Sequence, residues 1–301
     1  MQAIFDAKRK FLWRSEGVPG EYKPSYNIAP GSYKFLFSPV VISSSQIHSK
    51  FNPSTDSETV QVMRWGLIPS FVPNALEQAS SYKFATSNAR AENILERPSY
   101  MDCIKHRRRC VAIAQGYIFR YSEAFVRFYE WRQENRKKMP YYISVAGENE
   151  PLMFMAGVFS VNEEQTLFSY SVITTGAVNE MAKVHDRMPV IFRDPEDIFE
   201  WIAPNLCSPI STVRYLQNLK EKLKTIELKI YPVTPLMNST SFDSYQCIEP
   251  LDPSKPVVKN FPNTKKISEF FTRKRPNPAD SENATNKEEG KSAIKEKLED
   301  L

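Results

Sequence analysis

The sequence predicts an α+β fold: a single domain built on a curved, barrel-like, mainly antiparallel sheet with peripheral helices, followed by a disordered C-terminal tail. Three observations carry this expectation. Short apolar runs bounded by turn residues recur between residues 26 and 233. Helix-period segments are few and scattered irregularly among them, unlike the strict alternation of a doubly wound parallel sheet. From residue 252 proline, lysine, asparagine and glutamate dominate, and no aromatic residue follows Phe271. With 41% hydrophobic and 12% aromatic residues, the 301-residue chain has the material for one proper core. The reading divides it into an atypical N-terminal segment (1–21), a domain (22–251) and the tail (252–301).

Residues 1–20 show no clean period and are uninformative. Residues 26–31 read as a strand ending in a Pro-Gly turn, and 40–42 as a short buried strand. After a polar loop over 43–60, an apolar strand over 62–69 is interrupted by Gly66, which permits close approach of backbone or ligand to Trp65. Ser87 or Asn88 caps a short helix running through Leu95. Strands follow at 110–114, 128–131, 141–145, 152–159 and 167–174, then a helix over 177–184. Two amphipathic helices over 195–202 and 210–223 and a strand over 228–233 complete the pattern, and the folded part is expected to end near Leu251.

Composition excludes several classes. The net charge of +5 does not by itself argue for nucleic acid. Cys103, Cys110, Cys207 and Cys247 are dispersed without a CxxC pair, so neither a disulfide framework nor a zinc site is indicated, and no cofactor is expected. No apolar run is long enough to span a bilayer, and the start lacks a secretory signal, so a soluble intracellular protein is expected. The cationic run Lys105-His106-Arg107-Arg108-Arg109 leads into a strand, and its charges are expected near the edge of the fold. A solvated loop and a phosphate-binding patch both account for it.

The best candidate for an active-site corner is Val184-His185-Asp186-Arg187-Met188-Pro189, where an imidazole, a carboxylate and a guanidinium stand in consecutive positions. Pro189 holds Met188 extended and ends the preceding helical pattern, placing His185 at a helix-to-strand junction. By spacing alone a histidine beside an Asp-Arg pair is more often a structural hydrogen-bonding group than a catalyst.

Seven segments, SYNIAPG (25–31), MRWGLIP (63–69), SNARAE (87–92), RRCVAIAQGY (108–117), FYEW (128–131), LMFMAGVF (152–159) and VHDRMP (184–189), together resemble the SOS-response-associated peptidase (SRAP) family, in that family's order. The resemblance implies an abasic-site processing protein. In that family the domain binds single-stranded DNA, and an N-terminal cysteine, exposed by loss of the initiator methionine, closes a thiazolidine crosslink on the ring-opened sugar. It implies catalytic roles for Asn88, Glu130 and His185. Glu130 would also be the base for peptidase-like self-processing, and a lyase-type activity is a further expectation. For DNA, Arg90 and Arg97 are the expected phosphate contacts and Trp65 and Trp131 the expected walls for flanking bases. Capping of a helix by Asn88, pairing of Arg90 with Glu92, and two core tryptophans are the structural alternatives. The implied partner is single-stranded DNA carrying abasic sites, bound by a monomer with no membrane association.

The chain departs from the family in two places. The family opens Met-Cys-Gly-Arg, whereas this chain opens Met1-Gln2-Ala3-Ile4, with no cysteine before Cys103. As written it is not expected to form the thiazolidine, and non-covalent single-stranded DNA binding or recruitment is the alternative function. Residues 118–127 also read as an insertion between Gly116 and Glu130. A diverged paralogue and a gene model with a wrong first exon and a retained intron are two origins; the intact internal motifs favour the second.

In the tail, Ile267, Phe270 and Phe271 within 264–271 resemble the motif by which replication proteins dock on the sliding clamp, with Thr264 in place of the usual glutamine. Clamp binding, and from it a nuclear location, are the expectations; incidental aromatics are the alternative.

Overall fold

A computed structural model describes residues 12–14, 26–27, 37–43, 58–78, 82, 86–114, 128–134, 137–147, 153–162, 167–203, 206, 208–239, 241–252 and 254. Its strands are β1 (Leu12–Arg14), β2 (Phe37–Ser43), β3 (Glu58–Trp65), β4 (Asn88–Arg90), β5 (Arg109–Ala114), β6 (Phe128–Glu134), β7 (Lys137–Val145), β8 (Met153–Val161), β9 (Phe168–Gly176), β10 (Arg187–Pro189) and β11 (Leu228–Pro232). Its α-helices are α1 (Ala75–Gln78), α2 (Pro98–Lys105), α3 (Pro195–Ile202) and α4 (Pro209–Leu223). The main sheet runs β1-β3-β2-β5-β8-β9-β10 with β4 added on β9, and a second sheet runs β11-β7-β6. The expected α+β class is what is found.

Pairing is mainly antiparallel, with parallel contacts where β1 meets β3 and where β3 and β4 meet β9. The end of β3 returns to β9 through Arg64–Ser169 and Trp65–Tyr170, so the sheet curls back on itself at one end. It is not closed as a barrel along its full length.

Strands β8 and β9 are buried along almost their whole length, which explains the near-continuous apolar run of β8; β9 buries Ser169, Ser171, Thr174 and Thr175 among its apolar residues. On one face Ile113, Phe154, Ile173 and Val190 pack against α2, α3 and α4 through Tyr100, Ile104, Trp201 and Leu216. On the other, Met63, Cys110, Phe159 and Tyr170 pack with Ile143 of β7, which docks the second sheet. Fully buried Phe154, Phe159, Phe192 and Trp201 each contribute roughly 1.5–3 kcal/mol. Helix α4 begins where its sequence dictates: Ser208 and Ser211 form a reciprocal capping box and Pro209 occupies the first turn.

The strands approach so closely that Gly157 is required. A Cβ there would lie 2.9 Å from both Cys110 Sγ and the Ser171 carbonyl oxygen. The thiol can rotate but the carbonyl belongs to β9, so Gly157→Ala should destabilise the domain by about 1–3 kcal/mol, read as a lowered urea midpoint.

Several expectations are corrected. Residues 88–90 form strand β4 rather than a capped helix, followed by a 3-10 turn, Ala91–Asn93, whose N-cap is Arg90 and carries no side-chain cap bond. Pairing with β9 and full burial of Ala89 outweigh local capping. The helix expected over 177–184 is a 3-10 turn, Asn179–Lys183, entered through Asn179 at φ 51°. Tyr26 and Asn27 form no strand; the rest of 26–31 lies outside the described residues. Strand β3 begins at Glu58 and ends at Trp65, with Gly66 at φ 106° turning the chain. Helix α2 was not anticipated, although Pro98 at its start and buried Tyr100, Cys103 and Ile104 carry its signature.

The basic run gives the largest correction. Arg109 is not at an edge but fully buried, with its guanidinium donating to the carbonyls of Trp201 (2.7 Å), Ala203 (2.7 Å) and Leu206 (3.1 Å). Arg108 is half-buried, with Nη1 3.7 Å from Asp102. Among the described residues no helix is long and apolar enough to cross a membrane.

Candidate functional site

Two neighbouring clusters of polar side chains occupy the end of β9 and the segment leading into β10. The 3-10 turn delivers His185, whose main-chain N–H donates to the Met181 carbonyl at 3.1 Å. Asp186 then ties back through its carbonyl, which accepts from Ala177 N at 2.9 Å. Arg187 opens β10 opposite Gly176.

Glu130 reaches His185 from the second sheet. It lies on β6 opposite Tyr141, and its Oε2 is 3.9 Å from His185 Nε2. The carboxylate is 25% and the imidazole 37% exposed, so a small polar substrate could reach both while the carboxyl is still largely stripped of water. Burial raises the Glu130 carboxyl above its ordinary range; the His185 imidazole opposes the rise and the Asp186 carboxylate adds to it. A carboxylate raised in this way is a stronger base close to neutrality.

On its other side His185 Nδ1 accepts from Arg187 N at 3.1 Å. The same nitrogen is 3.3 Å from Asp186 Oδ1 and 3.2 Å from the Arg187 carbonyl oxygen. The Arg187 guanidinium donates to Glu92 Oε2 (2.8 Å), the Thr174 carbonyl (2.7 Å) and Thr174 Oγ1 (3.2 Å). Glu92 Oε1 in turn accepts from Thr175 Oγ1 (3.1 Å) and Gly176 N (3.3 Å). Burial acts to raise the Glu92 carboxyl, but the hydrogen bonds and charge of Arg187 prevail and hold it at about 2.

Of the three residues given catalytic roles by resemblance, the structure brings Glu130 and His185 together. Asn88 lies on β4, its side chain exposed and its carbonyl accepting from Tyr100 Oη at 3.0 Å. It stands opposite Val172, whereas Arg187 stands opposite Gly176, about 13 Å further along β9. Arg90 shares the exposed face of β4 with Asn88, and Arg97 is exposed at the start of α2. Glu92 pairs with Arg187, not with Arg90. Trp65 is half-buried and donates Nε1–H to the Ser87 carbonyl at 2.9 Å. Trp131 donates to Asn238 Oδ1 at 2.7 Å and, one residue beyond Glu130 on β6, points to the opposite face of its sheet. Ile267, Phe270 and Phe271, and the insertion at 118–127, lie outside the described residues. Among the described residues no group of three potential ligands could hold a metal ion.

Thr174 and Thr175 were not singled out from the sequence, and Glu92 was named only as a pairing partner for Arg90. Glu92 and Arg187 are 95 positions apart, and no local pattern pairs them.

A family model described as SOS response associated peptidase (SRAP) matches residues 3–240. The chain is 30% identical over 264 residues to abasic site processing protein HMCES of Xenopus tropicalis, covering 78% of this chain and 68% of that one. It is 32% identical over 234 residues to abasic site processing protein YoqW of Bacillus subtilis (strain 168), covering 76% and 88%. A crystal structure of a protein from Bacteroides thetaiotaomicron superposes with a TM-score of 0.50 at 26% identity, covering 73% of this chain and 83% of that one.

Proposed function

The chain belongs to the SOS response associated peptidase (SRAP) family, and from that premise we propose that it processes abasic sites in single-stranded DNA, with Glu130 and His185 acting on the baseless sugar. The observation that carries the reading is their 3.9 Å approach, Glu130 from β6 of the second sheet and His185 from the segment that leads into β10, where folding concentrates a proton carrier and an imidazole.

An abasic deoxyribose is mostly a closed hemiacetal, and opening it is an isomerisation. Glu130 takes the proton of the C1′ hydroxyl as the C1′–O4′ bond breaks, then returns it to O4′. His185, through Nε2–H, donates a hydrogen bond to the charge that develops on oxygen, and the aldehyde is left free. Arg90 and Arg97 hold phosphates on either side, with Asn88 orienting the strand. A single-stranded or extrahelical site is required, because an abasic sugar held within an undistorted duplex cannot enter such a corner.

In the family's covalent step the α-amine and thiol of an N-terminal cysteine add to the aldehyde carbon with loss of one water. Cys103, Cys110 and Cys247 cannot replace that residue: all three are buried, and burial pushes the Cys103 thiol to about 12 and Cys110 well above its ordinary value. This supports a second reading, non-covalent capture of abasic single strands. One assay separates them. Incubated with an abasic oligonucleotide, the chain opening Met1-Gln2 should bind without a denaturant-resistant adduct, and a version opening Met-Cys-Gly-Arg should form one. An adduct from the chain opening Met1-Gln2 would overturn the binding-only reading, and none from either would overturn the covalent one.

The tail motif supports docking on the sliding clamp, and with it a nuclear location. Phe270→Ala with Phe271→Ala should abolish binding to purified clamp; unchanged binding would remove the idea.

A further inference from the structure

His185 Nδ1 has more partners than one nitrogen can serve. The Arg187 main-chain N–H needs a lone pair there, at 3.1 Å. Asp186 Oδ1, at 3.3 Å, and the Arg187 carbonyl, at 3.2 Å, need a proton there. The first arrangement leaves the imidazole proton on Nε2, facing Glu130 from β6; the second puts it on Nδ1 and presents a bare lone pair to Glu130. Only one of them lets His185 act as a donor at the sugar.

The choice depends on where the main chain of residue 187 is held, and that position is fixed from outside the His185 segment. The Arg187 guanidinium is anchored by Glu92 and by Thr174, and Glu92 is anchored by Thr175 and Gly176 N. Every tie ends on β9 or on the 3-10 turn that follows β4. The Arg187 side chain is 18% exposed and that of Glu92 48%, so the clamp is anchored on its arginine side, where the bonds to Thr174 are part-buried.

We infer that Glu92 is a positioning residue of the site: by clamping Arg187 it keeps the Arg187 N–H on His185 Nδ1, and so keeps the imidazole proton on Nε2 toward Glu130. Glu92 touches neither His185 nor Glu130 through any of these bonds and works through the backbone it immobilises. The inference rests on the proposed proton chemistry for its purpose, but the tautomer can be read without DNA.

The test is nitrogen NMR of isotope-labelled imidazoles in the full chain, with the histidines neutral. The sequence holds three, His48, His106 and His185, and His185→Ala assigns the signal. Wild type should show His185 protonated on Nε2. In Glu92→Ala the Nδ1-protonated population should rise about fivefold, the change expected from losing one main-chain hydrogen bond of ordinary net strength. Glu92→Gln keeps an acceptor for Arg187 and should restore most of the wild-type signal. A wild-type His185 protonated on Nδ1 overturns the inference with no variant needed, and so does an unchanged tautomer in folded Glu92→Ala. Should Glu92→Ala fail to fold, Thr175→Val, which removes one anchor of Glu92, takes its place: a smaller shift in the same direction supports the inference and an unchanged tautomer overturns it. If instead His185→Ala or Glu130→Gln leaves abasic-site processing intact, the functional reading falls while the tautomer result stands.

Discussion

Replacing Arg109 by alanine is expected to destabilise the domain by about 3–5 kcal/mol, a large part of the roughly 5–15 kcal/mol by which such domains are stable. The guanidinium is fully buried and has carbonyls for partners: those of Trp201, Ala203 and Leu206, at and beyond the end of α3. The negative end of the helix dipole supplies the counter-charge. Its carbon also lies 5.7 Å from the centre of the Trp201 ring, which adds a cation–π contact. Alanine removes a charged donor from three carbonyls at once and opens a cavity beside Trp201. Arg109→Lys keeps the charge but cannot fork to three acceptors, so its loss should fall between. Urea unfolding measures both; equal midpoints for wild type and Arg109→Ala would show that water replaces the guanidinium without cost.

Glu130→Gln is expected to lower abasic-site processing by about 10²–10⁴-fold, the usual worth of a positioned proton-transfer group, while leaving the fold more stable at neutral pH. The carboxyl's folded value lies above its unfolded one, with burial as the leading cause. Such a group contributes stability that is fully present below the unfolded value and is lost as pH rises through the folded one. Above that window the buried carboxylate is a cost that glutamine does not carry. The stability gain should therefore be present at neutral pH and absent in acid, while the processing defect persists wherever the wild type is active. His185→Ala should also impair processing and, by removing the opposing imidazole, should move the Glu130 titration further upward. A variant that loses stability and activity together at neutral pH would mark Glu130 as structural.

What could be read from the sequence followed from how local its cause was. Strand β8 announced itself because burial on both faces leaves a nearly uninterrupted apolar run, β9 because aromatic and β-branched residues fill it, and α3 and α4 because each starts at a proline and buries one stripe. His185 stood out through its neighbours, and Glu130 through the motif that carries it. Arg109 was misread because a run of one lysine, one histidine and three arginines suggests solvent, whereas its burial is decided by carbonyls more than 90 positions away. Asn88 was misread as a helix cap for a related reason: its segment is a strand only because β9 offers it a partner. The Glu92–Arg187 clamp had no sequence signal, since neither residue is unusual where it stands.

Strand β9 pairs with β8 and β10 and with β3 and β4, and it also receives the ties of Glu92 and Arg187. Its amide hydrogens should therefore be among the slowest in the protein to exchange with solvent, escaping only when the whole domain opens. The corner that holds His185 is mounted on the part of the molecule that breathes least, and its geometry should survive heating almost up to global melting.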